Sequence, residues 1–288
     1  MLNDACSKKR GINLFGGKIR RPAGVCFRGF FSLFIALLFL GITLQGCGWR
    51  SAKPPESDSS VYKIVIPEGF TVLDIASRVE ISSKGRVTRD EFLSAANANL
   101  YDYWFLKESG GNIEGFLFPK TYEITASMST RRIVSMLLSQ FEKETKNLNW
   151  ERAKALGVTP HQVVIIASLI EKEVRVPQER ELVSSVIYNR LSRGMRLEID
   201  ATVQYALKAR KRNLSYEDLK VDSPYNTYRI HGLPPSPICN PGFESIRAAL
   251  YPASTDYLFY VLTDPIEGRH SFTSDYQQFL RWKKEATR

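Results

Sequence analysis

The hydrophobic pattern divides the chain into three regimes. Residues 30–46 form an uncharged apolar run, Phe-Phe-Ser-Leu-Phe-Ile-Ala-Leu-Leu-Phe-Leu-Gly-Ile-Thr-Leu-Gln-Gly. Beyond it, Val61–Ile66 alternates as a strand does, and Thr71–Val79 repeats its apolar residues at helical spacing. Residues 88–98 predict a second helix, with Thr88 as N-cap and Glu91 completing a capping box. A third helix is expected over residues 129–148. Thr159-Pro160-His161-Gln162 opens a fourth with a second capping box and proline in the first turn. The run that follows, Val163 to Ile170, is almost wholly apolar, which predicts a helix buried on most sides. A further helix starts near Pro177, carries Leu182, Val183, Val186, Ile187 and Leu191 on its apolar face, and stops at Gly194. Near the end, Tyr257–Leu262 alternates, Asp264-Pro265 turns, and His270–Thr273 returns, which reads as a hairpin. Helices and strands are segregated along the chain, so the expected class is α+β.

Charge is distributed unevenly. The 288-residue chain has a formal net charge of +10, but residues 1–46 hold seven of its 40 Lys/Arg and only one of its 30 Asp/Glu. Most of the basic excess is therefore a topology signal ahead of the apolar run, and a nucleic-acid-binding reading loses its main support. The apolar heart of that run, about 14 residues, is short for a membrane span of about 20 and fits a signal-peptide core. It closes on Leu44-Gln45-Gly46-Cys47, similar to a bacterial lipobox, with Gln45 unusual at its position. Cys47 is thus a lipidation candidate; an uncleaved single-pass helix is the alternative. Either way residues 1–29 stay on the cytoplasmic side, 30–47 anchor or export the chain, and 48–60, rich in Ser, Pro and Lys, form a linker. Cys6, Cys26, Cys47 and Cys239 follow no zinc-ligand spacing, and neither a disulfide framework nor a metal site is expected. His161, His231 and His270 make no HExxH, and no GxSxG occurs; Gly16-Gly17-Lys18 lacks the Ser/Thr of a phosphate loop.

The chemistry concentrates at Glu171-Lys172-Glu173, at the end of the apolar helix. Two residues apart on a helix is about 200°, so the two carboxylates face opposite ways. Glu173 shares its face with Ile166, Leu169 and Ile170, Glu171 with Ala167 and Ser168. A carboxyl among large apolar groups is desolvated and its pKa rises, as a general acid working near neutral pH requires. Further on, Asp200, Thr202 and Tyr205, with Tyr225-Asn226-Thr227-Tyr228, offer carboxylate, hydroxyl, amide and aromatic groups suited to a sugar. The alternatives are half-buried packing for the tyrosines and a helix N-cap for Asp200.

The motifs carrying these residues resemble one family at length. Ile113-Glu114-Gly115-Phe116-Leu117-Phe118-Pro119-Lys120-Thr121-Tyr122 is similar to LEGxLFPxTY, and Ala167 to Tyr205 follows ASxxEKE…ER…VxxVxxNRLxxGMxLxxDxTVxY. Ser223–Tyr228, Gly232-Leu233-Pro234-Pro235 and Asn240-Pro241-Gly242 continue the likeness. This is the pattern of the MltG-type, or YceG-like, endolytic murein transglycosylases, and the resemblance runs over roughly residues 62–280. Ala201 stands where proline is common, and Ser236 and Ile238 vary the loop after the double proline. The resemblance implies a small LysM-like βααβ module over 61–123, glycan-binding in that family type, joined to a mixed helix and hairpin catalytic domain over 124–288. The short spacer before Val61 implies that a further LysM-like unit is missing. It also implies Glu173 as the catalytic acid/base, peptidoglycan glycan strands as substrate, no cofactor, and a membrane-anchored enzyme facing the cell wall. Contact with peptidoglycan synthases follows by analogy alone. The rival readings are a hydrolytic muramidase and a non-catalytic peptidoglycan-binding scaffold.

Overall fold

The computed structural model describes residues 60–286 except 210 and 212, and the apolar segment with its Cys47 lies outside them. Among the described residues no helix is long and apolar enough to cross a membrane.

The first elements are strand β1 (Val61–Val65), helices α1 (Val72–Ser82) and α2 (Arg89–Ala95), and strand β2 (Thr121–Thr125). Short 3-10 turns at Ala98–Leu100 and Trp104–Leu106 separate α2 from β2. β1 and β2 pair antiparallel, Val61 opposite Thr125 and Val65 opposite Thr121, so the order is strand, helix, helix, strand. The expected Thr88 cap forms, and Thr71 makes a further one: their side chains accept from Glu91 N and Asp74 N, and each acid reaches back to its N-cap amide. Helix α3 (Thr130–Thr145) and a single turn, α4 (Arg152–Ala155), lead into the longest buried element, α5 (Pro160–Glu173). α6 (Arg180–Ser192), α7 (Asp200–Leu207) and α8 (Phe243–Leu250) surround it, and the chain ends with β3 (Phe259–Asp264), β4 (Arg269–Thr273) and α9 (Tyr276–Ala286). β3 and β4 form the anticipated antiparallel hairpin. The class is α+β, as the pattern predicts.

α5 is the centre. Its Thr159 and Gln162 cap each other, and every residue from Val163 to Ile170 is buried. It packs against α8, α6 and α7. Each large apolar side chain buried there contributes roughly 1.5–3 kcal/mol. The same buried cluster continues through Phe116, Leu117 and Ile124 to Ile64 and Ile75. β2 straddles residue 123, and one core runs to both sides of it.

Polar groups fix the joint. Asn240 is fully buried, and its Oδ1 accepts from Gly115 N (3.0 Å) and Leu117 N (2.8 Å). Its Nδ2 donates to Phe70 O (2.9 Å) and to Glu114 Oε1 (2.8 Å). The Glu114 carboxylate in turn accepts from Val72 N, an orphan amide in the first turn of α1, at 3.0 and 3.1 Å. Burial pushes the Glu114 carboxyl up to about 8, against the pull of Val72 N, Asn240 and Tyr205. Gly115 has φ +95°, and a Cβ there would sit 2.5 Å from the Pro237 ring, so only glycine fits. Two of the motifs read along the sequence, at 113–122 and 240–242, thus meet in space, with Pro237 between them.

Replacing Asn240 by Ala leaves two backbone amides, one carbonyl and the Glu114 carboxylate short of a partner. Asn240→Ala is expected to lower unfolding stability by about 3 kcal/mol in urea titration. A loss under about 0.5 kcal/mol would contradict this account of the joint.

Candidate active site

Glu173 is the last residue of α5, and Val174 N still closes onto Ile170 O at 3.0 Å. Its side chain keeps some accessible surface yet lies deep among protein atoms. Burial raises its pKa to about 7; a hydrogen bond from Tyr260 opposes the rise, and the nearby Asp200 charge adds to it. The Tyr260 hydroxyl donates to Glu173 Oε2 at 2.9 Å. Burial and the Glu173 charge push the Tyr260 phenol far above its ordinary value, so it stays a donor.

Tyr260 sits on β3, and the hairpin is clamped to α6 on two sides. Asn189 Nδ2 donates to Thr255 O and Tyr257 O, both at 2.9 Å, and Arg190 Nε to Leu258 O at 2.7 Å. The Arg190 guanidinium also lies over the Phe259 ring at 5.3 Å. On the other strand, His270 N and Nδ1 meet the two oxygens of buried Glu179 at 2.9 and 2.7 Å. The His270 ring then stands edge-on to Tyr260, with centroids 5.4 Å apart. Glu179, just ahead of α6, is thus the anchor of β4.

The two glutamates face opposite ways, as their spacing requires. Glu171 Oε2 accepts from Gly242 N (3.1 Å) and Ser245 Oγ (2.7 Å) and so fastens the start of α8. Lys172 between them is exposed, with Nζ 3.4 Å from Gly69 O.

Asp200 is exposed and does not cap α7. Ile199 occupies the N-cap position, Asp200 is the first helical residue, and its Oδ1 accepts from the Tyr228 hydroxyl at 2.5 Å. The Asp200 charge acts on Glu173 and the Glu173 charge on Tyr228, and the four side chains Glu173, Tyr260, Asp200 and Tyr228 form one cluster.

Three of the expected substrate contacts need correction. Thr202, Asn226 and Thr227 have no exposed surface. Thr202 Oγ1 donates to Ile199 O (2.7 Å) and meets Thr227 Oγ1 at 2.9 Å, and Thr227 Oγ1 accepts from Ile199 N (2.9 Å). Asn226 Nδ2 donates to Leu219 O and Val221 O, at 2.9 and 2.8 Å. Buried polar groups must find partners, and these found backbone ones. They hold the 223–228 loop against α7 and so place Tyr228. Tyr205 and Tyr225 lie apart from Glu173's immediate partners: their rings are 4.9 Å from each other, Tyr225 meets Ser236 Oγ at 2.6 Å, and Tyr205 bonds Glu114.

Tyr260 escaped sequence reading. Nothing local separates it from the aromatic residues around it, and only its contact across the fold, 87 residues from Glu173, marks it out.

The comparisons agree with this architecture. The model of the YceG-like family matches residues 51–285. An endolytic murein transglycosylase of Bacillus subtilis is 34% identical over 212 residues, covering 69% of this chain and 59% of the relative. One from Streptococcus pneumoniae is 30% identical over 240 residues, covering 76% of this chain and 43% of the relative. A crystal structure of a YceG-like protein from Listeria monocytogenes matches with a TM-score of 0.70 at 31% identity, over 76% of this chain and 75% of that one. The chain belongs to the YceG-like family. It spans about half the length of the curated relatives it matches.

Removing the Tyr260 hydroxyl that donates to Glu173 destabilises the charged form of that carboxyl. Tyr260→Phe is expected to move the Glu173 titration, followed by carbon-13 NMR of the carboxyl, upward by about one unit. An unchanged titration would mean that the hydrogen bond has no electrostatic effect.

Proposed function

We propose that the chain is an endolytic lytic transglycosylase that cleaves the MurNAc–GlcNAc β-1,4 bond within peptidoglycan strands. The observation that carries this reading is the Glu173 carboxyl, held near pKa 7 in a desolvated cleft with one oxygen engaged by Tyr260. Support also comes from the relatives, two of which are named endolytic murein transglycosylases. A carboxyl with that pKa is substantially protonated at neutral pH, so it can give its proton to the glycosidic oxygen as that bond breaks. The resulting carboxylate, stabilised by the Tyr260 hydroxyl, takes the proton of the MurNAc C6 hydroxyl. That oxygen then bonds to C1 and closes a 1,6-anhydro ring. The MurNAc N-acetyl group assists the departure. One proton leaves and one returns, and no water is consumed. Cleavage within strands would limit their length as they are made.

One observation favours a second reading. Asp200 lies close enough to raise the Glu173 pKa, and a second carboxylate is what a hydrolytic muramidase would use. Its bond from Tyr228 argues for a positioning part in holding the sugar instead.

The β1-α1-α2-β2 unit supports a LysM-like, glycan-contacting role over residues 61–123, with 124–288 as the catalytic part. Anchoring at the membrane, through Cys47 or through an uncleaved helix over 30–47, would place the catalytic face toward the cell wall and beside the synthases that extrude new strands.

Glu173→Gln is expected to abolish cleavage of isolated sacculi by at least about a hundredfold with the melting temperature preserved, because the amide fills the same space but transfers no proton. Wild-type digestion in oxygen-18 water should yield unlabelled MurNAc ends about 20 mass units lighter than ends hydrolysed in that water. Heavy oxygen in those ends would identify a muramidase, with Asp200 as the second carboxylate. Full activity in Glu173→Gln would remove Glu173 from the mechanism.

A further inference from the structure

A concavity of about 610 Å³ is lined by residues adjoining the Glu173 cluster in the chain, Lys172 and Ala201. α7 joins the two. Its first residue, Asp200, belongs to the cluster, while Gln204, Tyr205 and Lys208 on the following turns line the cleft. Lys172, the neighbour of Glu173, and Tyr225 line it as well, and the start of α1 at Thr71–Asp74 forms the facing wall. Its volume falls in the range of small-ligand sites, roughly 300–1,000 Å³.

The lining is specific. Tyr205 and Tyr225 are half-buried, and their hydroxyls are committed to Glu114 and Ser236. Their rings are therefore fixed and offer carbon surface. The two cations, Lys172 and Lys208, are exposed at the rim, Lys172 Nζ with a 3.4 Å bond to Gly69 O that leaves it further donors. Two acids also line the cleft: the Asp74 carboxylate is engaged with Thr71 N and the Thr71 hydroxyl in the α1 cap, and Glu114 is held by Val72 N and Asn240, with burial pushing its carboxyl up to about 8 and so toward the neutral form. An uncharged sugar makes no use of two ammonium groups, whereas a short peptide bearing carboxylates matches them and can lay its apolar parts on the tyrosines.

We propose that this cleft binds the carboxylate-bearing peptide branch of the glycan strand, with Lys172 and Lys208 meeting its carboxylates and Tyr205 and Tyr225 supporting its apolar atoms. The proposal rests on the reading of the substrate as peptidoglycan. A peptide attached to the sugar at the cleaved bond must leave the strand within one sugar of Glu173, and Lys172 is the residue next to it. The cleft thereby selects strands that still carry their peptides over bare ones and sets which sugar lies across Glu173.

The test uses the full chain carrying Glu173→Gln, which binds without turnover, titrated calorimetrically with a soluble tetrasaccharide bearing its peptides and with the same tetrasaccharide freed of them by an amidase. The peptide-bearing ligand should bind more tightly. Lys208→Glu in the same background should shrink that preference about fivefold, the scale of one exposed charge contact. Gln204→Trp, which fills the cleft from a helix position, should shrink it as well. Equal weakening for both ligands would mean that the cleft takes a further sugar, and no preference in the parent protein would mean that it takes no part of the strand; either overturns the proposal. Product masses from the wild-type chain are scored apart. Anhydro products with no peptide preference reject the cleft alone, and a peptide preference without cleavage rejects the catalytic reading alone.

Discussion

An apolar helix must be covered on nearly all sides, and α5 carries a carboxylate at its end. Val163 to Ile170 are buried by α6, α7, α8 and the turn at Trp104–Leu106. The requirement to keep those residues from water draws Glu173 into a low-polarity cleft at the rim of the core. Desolvation of one carboxyl follows from packing and raises its pKa into the range where a proton can be both given and taken back. The same helix carries Glu171 a half-turn away. There the carboxylate meets the Gly242 amide and the Ser245 hydroxyl. Two identical side chains, two residues apart, differ in chemistry because they leave opposite faces of one helix.

The polar residues of the long motifs serve the placement of that carboxyl more than they touch a substrate. Asn189 and Arg190 hold the hairpin that delivers Tyr260. Glu179 holds its second strand through His270. Thr202, Asn226 and Thr227 hold the loop that delivers Tyr228 to Asp200. Asn240 and Glu114 fasten the β1-α1-α2-β2 unit to the helical core. Geometry in an active site must be maintained within a fraction of an ångström, and buried hydrogen bonds to backbone atoms give that rigidity.

Much of this was legible in the chain itself. The capping boxes at Thr88 and Thr159 located two helix starts to the residue, since the side chain and the amide it satisfies are three positions apart. The hairpin and the opposed faces of Glu171 and Glu173 followed from periodicity. The roles of Thr202, Asn226 and Thr227 did not, because a buried polar side chain and a sugar-binding one look alike until the partners are known, for the two threonines each other across 25 residues and for Asn226 the carbonyls of Leu219 and Val221. Asp200 looked like an N-cap because it precedes Thr202 at a helix start, yet the turn begins one residue earlier, at Ile199. Tyr260 had no local mark at all, because its function arises only where β3 crosses the end of α5.

The account stands on the protonated form of Glu173 being the working one near neutral pH. The dependence of kcat/KM on pH, measured on soluble peptidoglycan oligomers, tests it most directly, since that ratio reports the free enzyme's ionisations. With the carboxyl at about 7, the rate should fall about tenfold per pH unit above that point, as the proton that must be donated is lost. A profile with no alkaline limb, rising instead through pH 4.5 to a plateau, would show that the ionised carboxylate is the active form and would contradict the account.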